Sequence, residues 1–176
     1  MTIDALAAWV LAALIWQAPP DRTAPAHARA WPSAAETVEA RTERYGAIAA
    51  DIAAAAVEEP EPRRAAALLI AVAVRESGLA PDVDAPTCSR ERIARGYCDS
   101  GRARSIFQLQ AAKPATRAEA ARLALRALRR SQNACRGLPA GDTLAAYCAG
   151  RCLSAAGRRL SRDRYRLAAR IEAYRP

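Results

Sequence analysis

The feature that most constrains this fold is an unbroken apolar run from Ala65 to Val74. A helix that is apolar on every side belongs inside a core, because no face of it favours contact with water. Two prolines precede the run and Gly78 follows it, as is typical of helix boundaries. We therefore predict a buried helix over Arg63–Ser77. A chain of 176 residues is long enough to enclose such a helix within one domain.

A single carboxyl group lies at the end of this predicted helix. Glu76 falls in the last turn, where unpaired carbonyl groups give the negative end of the helix dipole. Burial and the dipole both oppose ionisation, so we expect Glu76 to hold its proton near neutral pH. A carboxylic acid in that state can act as a general acid. The alternative is a surface carboxylate that pairs with Arg75 or Arg63.

The composition is strongly basic, with 27 lysine and arginine residues against 18 acidic residues and a formal charge of +9. Such a surface attracts polyanions, whether nucleic acid, anionic lipid or anionic cell-wall polymer. Aromatic residues make up only 5% of the chain, which is sparse for base stacking. We keep a basic helical nucleic-acid-binding protein as the alternative of another class. One predicted helix carries a run of arginines that either forms a solvated face or attracts anionic wall polymers. These residues are Arg122, Arg126, Arg129 and Arg130.

Five cysteines suggest disulfide bonds in an oxidising compartment. No C-x-x-C pair is present and the single histidine lies far from the cysteines, so a zinc site is not indicated. Cys88 and Cys98 bracket a polar loop and form a natural pair. Cys135 follows a predicted helix and can pair with either Cys148 or Cys152, which leaves one thiol over.

The N-terminus resembles part of a secretory signal. Residues 6–17 are apolar and uncharged, and a proline pair and small residues follow. Asp4 stands where such signals carry basic residues, and the stretch is short for a bilayer span. We expect residues 1–32 to be an export or anchor segment with a proline-rich linker, and residues 33–176 to be the folded domain. The alternative is a first helix packed on that domain.

The remaining patterns predict helices. Capping boxes beginning at Ser33 and Thr116 open helices that end near Glu59 and Cys135. Residues 78–101 have turn residues and no helical period, and a short helix follows near residue 105. Asp142 can cap a brief helix over residues 143–149, and residues 161–174 form the last helix. The predicted fold class is mainly α, with one small disulfide-closed loop or β-hairpin.

Three short segments carry a family resemblance. They are Arg-Glu-Ser-Gly-Leu-Ala-Pro at 75–81, Gly-Arg-Ala-Arg-Ser-Ile-Phe-Gln-Leu-Gln at 101–110, and Ala-Tyr-Cys-Ala-Gly at 146–150. In this order they resemble the lytic transglycosylases and goose-type lysozymes, in which a Glu-Ser pair, a Gly-Leu-Met-Gln-like segment and an Ala-Tyr-Asn-Ala-Gly segment follow a buried helix. The likeness covers roughly residues 63–150. Ser105 and Cys148 depart from it, since they stand where the family has glycine and asparagine.

The resemblance implies a lysozyme-like helical domain with a buried central helix and a set of site residues. Glu76 takes the position of the catalytic acid. The substrate-binding positions are Ser77, Ser105, Gln108 and Tyr147. A cleft-facing Cys148 is the poorer disulfide candidate, so the resemblance pairs Cys135 with Cys152 and leaves Cys148 as a partly buried free thiol.

The implied activity is that of a lytic transglycosylase, which cuts the β-1,4 bond between N-acetylmuramic acid and N-acetylglucosamine with a single glutamate. The products carry 1,6-anhydromuramyl ends. The alternative is a hydrolytic muramidase with a second carboxylate. Asp99 is the best candidate for that carboxylate, and the competing interpretation of Asp99 is a loop residue that caps a turn beside Gly101. The resemblance implies no metal or cofactor. We expect an exported monomer of the periplasm or cell envelope that binds peptidoglycan glycan strands, not nucleic acid, and can associate with a membrane through its N-terminal segment.

Overall fold

The computed structural model describes residues 1–21, 36–80, 90, 94, 105–110 and 114–176. These ranges contain six α-helices, one 3-10 turn at Ala140–Asp142 and no β-strand. The helices are α1 (Ile3–Gln17), α2 (Val38–Ala56), α3 (Pro62–Ser77), α4 (Arg117–Ala134), α5 (Ala145–Ala149) and α6 (Ala155–Glu172). The prediction of a mainly α fold is therefore confirmed. The predicted Cys88–Cys98 loop lies outside the described residues.

The buried helix predicted from the apolar run is α3, and it is the centre of the fold. It contacts α1, α2, α4 and α6. Every residue from Ala65 to Val74 is buried, and Leu69, Ile70 and Val72 are wholly so. The helix begins at Pro62, where the missing N–H of proline is tolerated, and the left-handed Gly78 follows its end. The predicted bounds are correct to within one residue.

The first helix, α1, packs against α2 and α3 within the same core. Leu6, Val10 and Leu14 are fully buried, and the Trp9 indole N–H donates to the Tyr174 carbonyl oxygen at 3.3 Å. This arrangement corresponds to the packed-helix alternative, and it places α1 in one core with the rest of the described chain. Among the described residues, no helix combines the length and the hydropathy needed to cross a bilayer.

The start of α2 differs from its prediction. Thr37 is the N-cap, and its hydroxyl accepts a hydrogen bond from the Ala40 N–H at 3.1 Å. Glu36, which the predicted capping box assigned to the helix, instead pairs with Arg44 at 2.8 Å and with Arg41. The helix therefore begins later than predicted, because two arginines compete for the carboxylate that the box required. Ser33 lies outside the described residues.

The predictions for the C-terminal half are confirmed in part. Thr116 caps α4 by accepting from the Glu119 N–H at 3.1 Å, and Gly150, at φ 73°, ends α5 in the left-handed conformation. Asp142 does not cap the brief helix, because Arg162 holds its carboxylate at 2.9 Å. The last helix starts earlier than residue 161, because the Ser154 hydroxyl caps α6.

Candidate active site

The chain leaves α3 through two left-handed residues. Gly78 has φ 59° and Leu79 has φ 57°, a conformation that is uncommon for a branched side chain. The Ser77 hydroxyl stabilises this exit, since it donates to the Ala73 carbonyl at 2.9 Å and accepts from the Leu79 N–H at 3.2 Å. Ser77 is 1% exposed. Its hydroxyl is therefore engaged at the helix end, and the implied substrate contact through Ser77 stays a prediction.

Glu76, one residue earlier, forms an ion pair with a buried arginine of α6. Nη2 of Arg164 lies 2.5 Å from Oε1 of Glu76, and Nη1 of Arg164 donates to the Leu160 carbonyl at 3.0 Å. Arg164 is 4% exposed, whereas the Glu76 side chain is 22% exposed. The expectation of an unpaired carboxyl in an apolar pocket is therefore wrong. The alternative of a surface pair with Arg75 or Arg63 is wrong as well.

The pairing leaves one oxygen of Glu76 available. Oε2 of Glu76 forms no hydrogen bond with any described residue, while Oε1 accepts from Arg164. A neighbouring ion pair also links α3 to α6. Nε of Arg75 lies 2.8 Å from Oδ2 of Asp163, and Nη2 of Arg75 lies 3.1 Å from Oδ1. The end of α3 is thus fixed against α6 with one carboxylate oxygen unbound.

Residues 105–110 form a tight turn, so the short helix predicted there is wrong for the described residues. Ser105 and Gln108 both have left-handed backbones, at φ 61° and 49°. The Ser105 carbonyl accepts from both the backbone N–H of Gln108 at 3.0 Å and its side-chain amide at 2.9 Å. Ile106 and Phe107 are 1% exposed and anchor the turn in the core, while Gln108 is half-buried.

Tyr147 of α5 connects this turn to the rest of the site. Its hydroxyl donates to the Phe107 carbonyl at 2.8 Å. Its backbone N–H donates to the Ser131 hydroxyl at 3.0 Å, and that hydroxyl donates in turn to the Thr143 carbonyl. Burial raises the pKa of Tyr147 well above its usual value, and the negative charge of Glu76 raises it further. The hydrogen bond joins the described part of the Gln108 segment to the Tyr147 segment, and the charge of Glu76 in the first segment acts on Tyr147.

The free thiol of Cys148 belongs to the same cluster. Burial raises the pKa of Cys148 to about 11, against the opposing effect of Arg164. Desolvation by burial lowers the pKa of Arg164, but the charge and the hydrogen bond of Glu76, together with Cys148 and Tyr147, raise it by more. Cys135 and Cys152 form the disulfide bond that the resemblance implied, and Cys148 is free and partly buried, as expected.

The remaining predicted site residues fall into two groups. Ser105 is 2% exposed, and its hydroxyl accepts from the Phe107 N–H at 3.3 Å, so it stabilises the turn. The predicted second carboxylate Asp99 and the Cys88–Cys98 pair lie outside the described residues.

Sequence analysis missed Arg164. The buried residues of α6 recur at helical spacing along one side, and they are Gly157, Ser161, Arg164, Leu167, Ala168 and Ile171. A lone arginine in phase with small and apolar residues is the signal that could have identified it, because a charge on a buried stripe requires a partner.

No family model, curated protein or solved structure matches this chain.

Proposed function

We propose that this protein is an exported lytic transglycosylase with a lysozyme-like fold, and that it cleaves peptidoglycan glycan strands. The single observation that carries the proposal is the convergence of three segments far apart in sequence. Glu76 at the end of the buried α3, the turn holding Gln108, and Tyr147 of α5 come together through the Tyr147–Phe107 hydrogen bond and the charge of Glu76 near Tyr147.

In the proposed reaction, Glu76 acts first as an acid and then as a base. In the reacting form, Oε1 of Glu76 accepts from Arg164 and Oε2 carries the proton. Oε2 donates this proton to the glycosidic oxygen, the bond from that oxygen to C1 of N-acetylmuramic acid breaks, and N-acetylglucosamine leaves with a free 4-hydroxyl. The 6-hydroxyl of the muramyl residue then attacks C1 and gives its proton to Oε2. This step forms the 1,6-anhydro ring and restores the starting acid.

The environment of Glu76 supports this single-carboxylate route. Arg164 holds Oε1 in place, so the other oxygen can approach the substrate in a defined orientation. Tyr147 is held by hydrogen bonds at both its hydroxyl and its backbone N–H, so its ring is fixed within range of the charge of Glu76. We expect Gln108, at the half-buried turn, to bind sugar polar groups.

The backbone of the Gln108 turn offers further support for the family assignment. Ser105 stands where the family segment has glycine, and its φ of 61° lies in the left-handed region, which glycine adopts more readily than any other residue. The geometry of the family segment is thus compatible with this chain despite the different residue. The Cys135–Cys152 bond is consistent with the proposed export, since disulfides persist in oxidising compartments.

The proposal is tested with purified peptidoglycan sacculi. Wild-type protein is expected to release soluble muropeptides, and Glu76→Gln is expected to lower the rate by about 100-fold or more, as loss of a general acid and base does. Glu61→Gln is the matched control, because Glu61 lies beside the other end of α3 and its side chain is 66% exposed. Equal rates for the wild type and Glu76→Gln, or no release by the wild type, would contradict the proposal. Products with reducing ends would identify the muramidase alternative.

A further inference from the structure

Four arginines of α4 line one shallow groove beside the end of α2. The groove has a volume of about 360 Å³, and Ala55, Glu59 and Leu125 complete its lining. We call it the arginine groove, and its basic residues are Arg122, Arg126, Arg129 and Arg130. Arg129 pairs with Glu59 and donates to the Gln132 side-chain oxygen at 3.1 Å.

The other three guanidinium groups have no such partner. Arg122, Arg126 and Arg130 are exposed, and no described residue forms a hydrogen bond or an ion pair with them. Their spacing of four residues places them one above another along α4. Like charges at this spacing destabilise a helix, so contacts within the helix do not account for the stripe.

We propose that the arginine groove is a second binding site for peptidoglycan, where it holds carboxylates of the stem peptides. This inference rests on the function proposed above. Guanidinium groups bind carboxylates through two parallel hydrogen bonds, and a row of three matches a polymer with repeated carboxylates. Because the wall polymer extends far beyond the bond being cut, one part of it can occupy the groove while another part lies at Glu76.

The lining of the groove favours this ligand over other polyanions. Among the described residues, no aromatic side chain lines it, so this part of the chain offers nothing there on which nucleic acid bases can stack. Leu125 is 5% exposed and Ala55 is small, so the groove has no large apolar side chain to insert into a lipid surface.

The test measures sedimentation of the full chain with purified sacculi in a Glu76→Gln background, which keeps the polymer intact. Arg122→Gln/Arg126→Gln/Arg130→Gln removes the three unpaired charges. The control, Arg159→Gln/Arg166→Gln/Arg170→Gln, removes three exposed arginines of α6 and so makes the same change in net charge. We expect the groove variant to bind about tenfold more weakly or worse, as the loss of three exposed ion pairs predicts. The control should stay within about twofold.

A second arm uses sacculi whose stem carboxylates have been converted to neutral amides. There the difference between the groove variant and the control is expected to disappear. Equal weakening of both variants on untreated sacculi would overturn the proposal, since net charge alone would then explain binding. The proposal would also be overturned if the groove variant still bound more weakly than the control to amidated sacculi. Stronger groove-dependent binding to duplex DNA or to phosphatidylglycerol vesicles than to sacculi would overturn it as well.

The catalytic proposal and the proposed second binding site can be contradicted independently of each other. Muropeptide release by wild-type protein is measured in a parallel reaction that does not depend on the groove. Release without groove-dependent binding would overturn the second site alone. Groove-dependent binding without release would overturn the catalytic proposal and leave a peptidoglycan-binding surface.

Discussion

Nη2 of Arg164 lies 2.5 Å from Oε1 of Glu76, and this ion pair joins the end of α3 to α6. The two partners are unequally buried, since Arg164 is 4% exposed and the Glu76 side chain is 22% exposed. Loss of Glu76 therefore leaves a charge that water cannot reach, whereas loss of Arg164 leaves a carboxylate that is partly hydrated. The ion pair therefore links two helices and also holds the proposed catalytic carboxylate in place.

This asymmetry predicts a difference in stability between the two single variants. Glu76→Gln should lower the free energy of unfolding by about 3 kcal/mol, because the buried guanidinium of Arg164 loses its counter-charge. Arg164→Met should cost less, about 1–2 kcal/mol, because water still reaches Glu76. The double variant should be more stable than the sum of the two losses implies. Urea unfolding measures all three, and strictly additive losses would contradict the ion pair.

Tyr147 provides a second prediction. Tyr147→Phe removes the hydroxyl that donates to the Phe107 carbonyl, and should lower the free energy of unfolding by about 1–2 kcal/mol. Muropeptide release should fall as well, because the turn with Gln108 loses its link to α5. Tyr174→Phe is the control, since the Tyr174 hydroxyl has no hydrogen bond with any described residue, and it should change stability by less than about 0.5 kcal/mol. Equal losses of stability in Tyr147→Phe and Tyr174→Phe, measured by thermal unfolding, would contradict a stabilising hydrogen bond between Tyr147 and Phe107.

The Cys148 thiol should react slowly. Burial raises the pKa of Cys148 to about 11, so at pH 8 its thiolate is more than about 100-fold scarcer than that of an ordinary cysteine. Alkylation of Cys148 by iodoacetamide, followed by peptide mass spectrometry, should be much slower in the native protein than in urea. The native rate should keep rising as the pH approaches 11. A native rate equal to the unfolded one would contradict the burial of this thiol.

The Cys135–Cys152 bond should contribute measurably to stability. It closes a loop with a sequence separation of 17 residues, for which chain entropy predicts about 3 kcal/mol. Cys135→Ala/Cys152→Ala should therefore unfold at lower urea concentration. Cys148→Ala serves as control and should change the free energy of unfolding by less than about 1 kcal/mol. The account is wrong here if the double variant is as stable as the control.

The parts of the fold that the sequence predicts are those set by local chemistry. The bounds of α3 follow from an apolar run between prolines and a glycine, and the Thr116 cap and the Gly150 stop follow from side-chain and backbone preferences at helix ends. The Cys135–Cys152 pairing came from the family resemblance, because the spacing of the cysteines alone left two arrangements open.

The parts that the sequence did not predict depend on contacts between distant residues. The partner of Glu76 lies 88 positions later in the chain, so no local pattern could reveal it. Glu36 was assigned to a helix cap but is held by Arg41 and Arg44. Ser77 and Ser105 were assigned to substrate, but their buried hydroxyls bind backbone atoms.

The most direct measurement for the central claim is mass spectrometry of the soluble products that wild-type protein releases from purified sacculi. A lytic transglycosylase should release muropeptides with 1,6-anhydromuramyl ends, each lighter by one water than the hydrolytic product, and Glu76→Gln should release almost none. Reducing ends throughout, or identical products from both proteins at the same rate, would contradict the proposed activity.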